Sequence, residues 1–258
     1  STFGTNGKAV FDFGTNEERI NDIFITNTNE IFAIGTRLNA IFLSKITSNG
    51  DLNFTFDSNG YKMYTIDPNE IISKGVSVFE QNGSLLLVGN SWINAKYLVL
   101  IKIDYEGNLI QNFGVNGIKK LETVSSSNTS TFNLIRTRIK GDNLYFSYNL
   151  AYSFTNNYNW LGRYNLVNEI FEANLFTLPY MYPFYQINAS DKIYFTGAIR
   201  CSGSQSNCQR DFFLKKKNFD GSDDLTFNST GTYTYNFFPS DLISDDQSSV
   251  FLLQDDGK

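Results

Sequence analysis

Phe56-Asp57-Ser58-Asn59-Gly60 (FDSNG) is one of four copies of the phrase F-x-x-x-G; the others are FGTNG at 3–7, FGVNG at 113–117 and FNSTG at 227–231. Their glycines, Gly7, Gly60, Gly117 and Gly231, stand 53, 57 and 114 residues apart, and the last step is twice the second. Two further landmarks keep the interval. A polar Gly turn precedes three of the copies (Asn49-Gly50-Asp51, Glu106-Gly107-Asn108, Asp220-Gly221-Ser222), and a glycine that ends an apolar run recurs as Gly35, Gly89 and Gly197. Three landmarks on one long period mark a repeat architecture. The copy around residues 165–180 is degenerate, with Asn168 and Phe176 where the turn and the aromatic belong.

Within the first unit, Lys8–Phe13, Ile20–Thr26, Glu30–Gly35 and Ala40–Ile46 read as strands, short runs rich in Ile, Phe and Val bounded by Asn, Thr and Gly. Hairpin chemistry recurs between the second and third runs as Thr28-Asn29, Asn82-Gly83, Gly141-Asp142, Ser190-Asp191 and Asp256-Gly257. Such residues tolerate the positive φ of tight turns. No window carries a capped helical period. Four short antiparallel strands per unit describe a blade of a β-propeller, whose sheets bury their faces by stacking. A β-sandwich and a β-solenoid are the alternatives; sandwich strands do not keep such a register, and solenoid coils are shorter. The expectation is one all-β propeller domain over 1–258, with units at about 1–53, 54–111, 112–174, 175–225 and a partial 226–258. F-x-x-x-G then serves as the connector between blades. The last unit breaks off at its hairpin turn, so a longer polypeptide or a partner is expected to complete the edge.

Composition narrows the function. Apolar residues make up 41% and aromatic residues 16% of 258, which suits a large folded core. The net charge of −5 disfavours nucleic acid, which needs a concentrated basic surface. Lys215-Lys216-Lys217 is the one basic cluster, and reads as a solvated strand edge. No apolar run is long enough to cross a bilayer as a helix. Cys201 and Cys208 flank a polar loop after the strand Ile193–Ile199, so a disulfide across that hairpin is expected, and with it an oxidising compartment.

The chain has no histidine, which excludes Ser-His-Asp and Cys-His catalysis and removes the commonest zinc ligand. Asp223-Asp224, Asp245-Asp246 and Asp255-Asp256 are the paired carboxylates; each reads as a turn rather than a glycosidase pair or a calcium loop. Neither a catalytic residue, a metal site nor a cofactor is expected. The stretches that break the repeat are AYSFTNNYNW, with Tyr152, Phe154, Tyr158 and Trp160, and LPYMYPFY, with Tyr180, Tyr182, Phe184 and Tyr185. Tyr and Trp dominate interaction hot spots, and departures from local rules gather at functional places. Packing between blades is the favoured account of most of these rings, with Tyr158 and Trp160 expected to be the exposed ones.

The order of landmarks (FGTNGKAVFDF with NGDLN, FDSNGYKMYTI with QNGSLLLVGN and EGNLI, FGVNGIKK, and the final QDDGK) resembles the delta-60 repeat, a bacterial β-propeller repeat. The likeness is strong in units one, two and five and weak in three and four. It implies a propeller in an exported protein, periplasmic or associated with the outer membrane or cell surface, and implies no activity. The expected function is a non-catalytic module that binds another protein as an accessory subunit of an envelope assembly for export or adhesion. The alternative is a carbohydrate-binding or glycan-cleaving propeller, with Trp160 stacking on sugar.

Overall fold

The computed structural model describes residues 3–14, 18–67, 72–92, 96–124, 131–151, 157–178, 181–187, 192–198, 212–218, 220–235, 239–244 and 250–254. All regular structure in it is β. The first sheet runs β1 (Arg19–Ile25), β2 (Ile31–Arg37), β3 (Ala40–Ile46), β4 (Tyr61–Tyr64), and the second β5 (Ile72–Gln81), β6 (Ser84–Trp92), β7 (Lys96–Ile103), β8 (Ile118–Val124). The third runs β9 (Thr131–Lys140), β10 (Asn143–Ala151), β11 (Asn157–Asn165), β12 (Phe171–Leu178); the fourth β13 (Met181–Ile187), β14 (Ile193–Ala198), β15 (Phe212–Lys217), β16 (Thr232–Tyr235). A two-stranded sheet, β17 (Pro239–Ser244) with β18 (Val250–Gln254), follows. Each sheet is antiparallel, and each strand pairs with its neighbours in sequence. Two compact units hold these sheets, residues 1–128 with the first two and residues 129–258 with the rest.

The sheets are out of phase with the units drawn from F-x-x-x-G. Lys8–Phe13 forms no ladder; only the isolated bridge Thr5↔Lys8 touches it. The fourth strand of the first sheet is Tyr61–Tyr64, on the far side of FDSNG. The phrase therefore lies inside a sheet, between its third and fourth strands, at 56–60, 113–117 and 227–231 alike. It closes a tight loop there: the Gly60, Gly117 and Gly231 carbonyls accept from the Lys45, Lys102 and Lys216 amides at 3.0–3.1 Å. The role of connector between sheets belongs to other segments.

The recurring glycine also has a geometric cause. The first strand of every sheet bulges at one place: between Ile20 and Asp22, Gly75 and Ser77, Leu134 and Arg136, Met181 and Phe184, and Pro239 and Asp241. A bulge pushes the extra backbone toward the partner strand. A Cβ on Gly35 would lie 1.7 Å from the Arg19 carbonyl oxygen, and one on Gly89 2.3 Å from that of Lys74. Rather than ending their strands, these glycines sit inside β2 and β6, opposite the bulge. In the third sheet the same register position holds Tyr148, whose hydroxyl reaches Asn174 and the Ala173 carbonyl of β12.

In the first unit the two sheets face each other. Phe32, Ile34, Ile41 and Leu43 of the first meet Val78, Leu85, Leu87, Val99, Ile101 and Ile103 of the second in one buried core. The bulge residues contribute polar contacts: Asn21 Nδ2 donates to the Gly75 carbonyl at 2.7 Å, and Asp22 accepts from the Val78 amide at 3.3 Å. Phe56 and Tyr64 close the outer part; Phe56 packs on Phe32 and lies over Gly107, and Tyr64 donates to the Gly107 carbonyl at 2.9 Å. In the second unit Tyr145 and Leu161 of the third sheet share a core with Ile193, Phe195 and Phe213 of the fourth.

Lys215, Lys216 and Lys217 do not form a solvated edge. β15 is an inner strand, paired with both β14 and β16. Its lysines meet the carboxylates of the following turn, Lys217 with Asp223 at 2.8 Å and Lys216 with Asp224 at 3.4 Å, and Lys192 adds a contact to Asp224 at 3.3 Å. Asp224 also accepts from the Thr226 hydroxyl and amide, which with the two lysines holds its carboxyl well below the usual carboxylate range.

Candidate functional site

Strand direction gives each sheet two unlike ends. At one end lie the β1–β2, β5–β6 and β9–β10 hairpins and the F-x-x-x-G loops. Positive φ falls where the sequence expects it: Asn29 at 62°, Asn82 at 51°, Gly83 at 72° and Gly141 at 53°. The other end carries the turns between second and third strands and the links from sheet to sheet. The described parts of the aromatic stretches that break the repeat belong to that second end. Tyr158 and Trp160 open β11, and Tyr182 opens β13, with Phe184 and Tyr185 further along it. Tyr152, Phe154 and Tyr180 lie outside the described residues, as do Cys201 and Cys208 with the expected disulfide.

Trp160 departs from the expectation that it is exposed. It stands opposite Tyr148 on β10 and Thr177 on β12, within a four-stranded sheet, and is half-buried. Its Nε1 is fully buried and has no hydrogen-bond partner. Beside it Asn149 and Asn159 pair side chain to side chain at 3.0 Å. The register, rather than the flanking asparagines, sets this burial.

One further feature of this end lay beyond the sequence reading. β2 turns into β3 through Leu38 and Asn39, at φ 46° and 59°. Two positive φ values make a primed turn that suits the twist of a hairpin. Leucine is a poor occupant, since a left-handed conformation costs a residue with a Cβ about 1–2 kcal/mol. Leu38 is nevertheless 54% exposed, so no core contact of its side chain offsets the strain. Strain of this kind persists at functional places.

The opposite end holds a cleft of about 340 Å³ in the first unit, lined by Thr26, Asn27, Thr28, Glu30, Lys45, Glu80, Tyr105 and Glu106. Three carboxylates against one ammonium make it acidic. Lys45 is buried and bonds Glu30 at 2.8 Å and the Tyr105 carbonyl at 3.4 Å. The Tyr105 hydroxyl donates to Glu80 at 2.6 Å, and that bond pushes its pKa up to about 12. The phenol therefore stays protonated at neutral pH. The cleft offers acceptors to cations and hydrogen-bond donors; within it Glu30 pairs with Lys45, and Glu80 accepts from the Tyr105 hydroxyl. Lys45 belongs to a basic position that recurs in every four-stranded sheet as Lys45, Lys102, Arg163 and Lys216. Arg163 pairs with Glu172, Lys216 lies 5.5 Å from the Tyr194 ring centre, and Lys102 5.9 Å from that of Phe113.

Among the described residues no group of three or more Cys, Asp or Glu is placed to hold a metal ion, and no helix is long and apolar enough to cross a membrane. The sequence matches no protein-family model and no curated protein at a significant level.

Proposed function

We propose that this chain is a β-propeller binding scaffold whose four-stranded sheets are blades, and that the irregular ends of those blades dock another protein. The observation that carries this is the sorting of the chain. The F-x-x-x-G loops and hairpin turns share one end of their sheets, while Tyr158, Trp160, Tyr182 and the strained Leu38 belong to the other. Within each unit, a repeat scaffold presents such sheet ends without building an active site. The recurring charges favour binding over chemistry, because Lys45, Arg163 and Lys216 are tied to carboxylates of the scaffold. The setting is a bacterial envelope, periplasmic or at the outer membrane, where the chain serves as an accessory subunit of an export or adhesion assembly. That setting rests on the resemblance to delta-60 repeats and on the cysteine pair.

The test is capture. Immobilised chain is challenged with detergent-solubilised envelope extract, and a protein recovered in stoichiometric amount is the expected result. Recovery of no such protein, or binding to a glycan array with no protein partner, overturns the proposal.

A further inference from the structure

One turn position recurs in every four-stranded sheet, and the fourth sheet fills it differently. Thr47, Asp104, Asn165 and Asn218 mark it, each at the end of its third strand. Their amides donate to the Asp51, Asn108, Ile170 and Ser222 carbonyls at 2.8–3.0 Å. In the first three sheets the side chain at this position caps its own turn. Thr47 Oγ1 accepts from the Asp51 amide, an Asp104 oxygen from the Glu106 and Asn108 amides, and Asn165 Oδ1 from the Val167 and Asn168 amides. Asn218 caps no amide among the described residues. Its Oδ1 accepts instead from Lys192 Nζ at 2.5 Å, across the β14–β15 pair.

The register shows what is new here. The residues that face this position from the second strand are Glu30, Ser84 and Asn143 in the other sheets and Lys192 in the fourth. The fourth alone of these sheets sets an amine against a carboxamide. A C=O bond of about 1.23 Å puts Asn218 Cγ no more than about 3.7 Å from Nζ, beside the roughly 3–3.5 Å of a near-attack contact. Two further groups complete the arrangement. Asp224 Oδ2 lies 3.3 Å from Nζ, on a side chain only 6% exposed. On the other side of the amide, Asn218 Nδ2 donates to Ser222 Oγ at 2.9 Å, and that hydroxyl donates to Asp220 at 2.6 Å. A nucleophile, a base beside it and a held leaving nitrogen are what acyl transfer to an amine requires.

We propose that Lys192 and Asn218 condense into an isopeptide bond that ties the start of β14 to the end of β15. Nζ bonds to Asn218 Cγ, the Cγ–Nδ2 bond breaks, and the amide nitrogen leaves as ammonium. Nζ gives up two protons, which Asp224 accepts in turn, and both end on the departing nitrogen beside Ser222. One ammonium is consumed and one released, so atoms and charge balance without an oxidant or a cofactor. The ionised Asp224 keeps Nζ charged until attack, which makes the step slow, and it happens once per chain. The bond closes a ring over residues 192–218. Such a ring restricts the unfolded chain as a disulfide does, and thiols do not open it. The proposal is independent of the docking reading, since it concerns the purified chain alone.

Intact-mass measurement of the reduced, purified chain tests it. The expected mass lies about 17 Da below that of the sequence, the loss of one ammonia. Proteolysis should release one branched peptide that carries both Lys192 and Asn218. Lys192→Arg keeps the charge beside Asn218 and Asp224, but a guanidinium stays protonated and does not attack. That variant should show the full sequence mass, an unchanged β signal in circular dichroism and a lower unfolding temperature. Asn218→Ala should also show its full mass. An asparagine that cyclises on its own backbone loses the same ammonia, so a mass deficit that persists in Lys192→Arg overturns the proposal. A folded wild-type chain that keeps the full sequence mass after prolonged incubation overturns it as well.

Discussion

Leu38 shows how a single φ angle separates what a residue contributes to stability from what it contributes to a surface. At φ 46° it holds a conformation that asparagine tolerates and leucine does not, and with 54% exposure its side chain has little to lose. Leu38→Asn is expected to raise stability by about 0.5–1 kcal/mol in denaturant unfolding. If the leucine is kept for binding, the same change weakens capture of the partner. Asp224 makes the converse case. Its carboxyl titrates well below the usual range because the Thr226 hydroxyl, the Thr226 amide, Lys192 and Lys216 all favour the charged form. A depressed folded-state pKa contributes stability that is complete above the unfolded value near pH 4 and is lost as the pH falls through the folded value. Acid unfolding of the chain should therefore begin below about pH 4, and Asp224→Asn should flatten the pH dependence in that window while lowering stability at pH 7. An Asp224→Asn chain with an unchanged acid transition would show that the carboxylate is not held as described.

At the scale of elements, the sequence landmarks share a period because they touch. Phe56 reaches forward to Gly107, the glycine of the next polar turn, and Phe3 reaches Gly50 in the same way. A Cβ on Gly107 would lie 2.7 Å from the Phe56 ring. Phe56→Ala should cost about 3–5 kcal/mol, because a nearly buried ring leaves a void between two sheets; hydrogen exchange should show the loss in both β2–β3 and β6–β7. A loss confined to the first sheet would contradict this contact. The same pairs explain how much of the fold was legible. Periodicity, turn residues and strand composition are local, so the four-strand repeat, Asn82-Gly83 and the all-β class could be read directly. The phase could not. KAVFDF and YKMYTI follow the same phrase and carry the same pattern, and only the ladder shows that Tyr61–Tyr64 closes a sheet while Lys8–Phe13 overlies one. The lysine run fails for a related reason: its partners Asp223 and Asp224 lie on the next turn and are chosen by register. The acidic cleft is assembled from two repeats, Glu30 and Lys45 from one and Glu80, Tyr105 and Glu106 from the next. Its one sequence trace was the basic residue recurring at Lys45, Lys102 and Lys216.

For the whole molecule, the division into regular and irregular sheet ends predicts a separation of stability from function. The regular end is built of turns with demanding φ angles, so interrupting one costs stability. A six-residue Gly/Ser insert between Asn82 and Gly83 lengthens a two-residue hairpin and should cost about 1 kcal/mol in loop closure, with further loss from the broken turn. Nothing at that end is needed for docking in the proposed reading, so capture of an envelope partner by the folded fraction should be undiminished. Tyr158→Ala and Tyr182→Ala lie at the starts of β11 and β13, at the irregular end. Their combination should abolish capture, because hot-spot aromatics carry a disproportionate share of binding energy. Capture that survives the double substitution but is lost with the Asn82–Gly83 insert would move the docking face to the opposite end, where the cleft of Glu30, Glu80 and Glu106 would then take the place of the aromatic strand ends as the surface a basic partner meets.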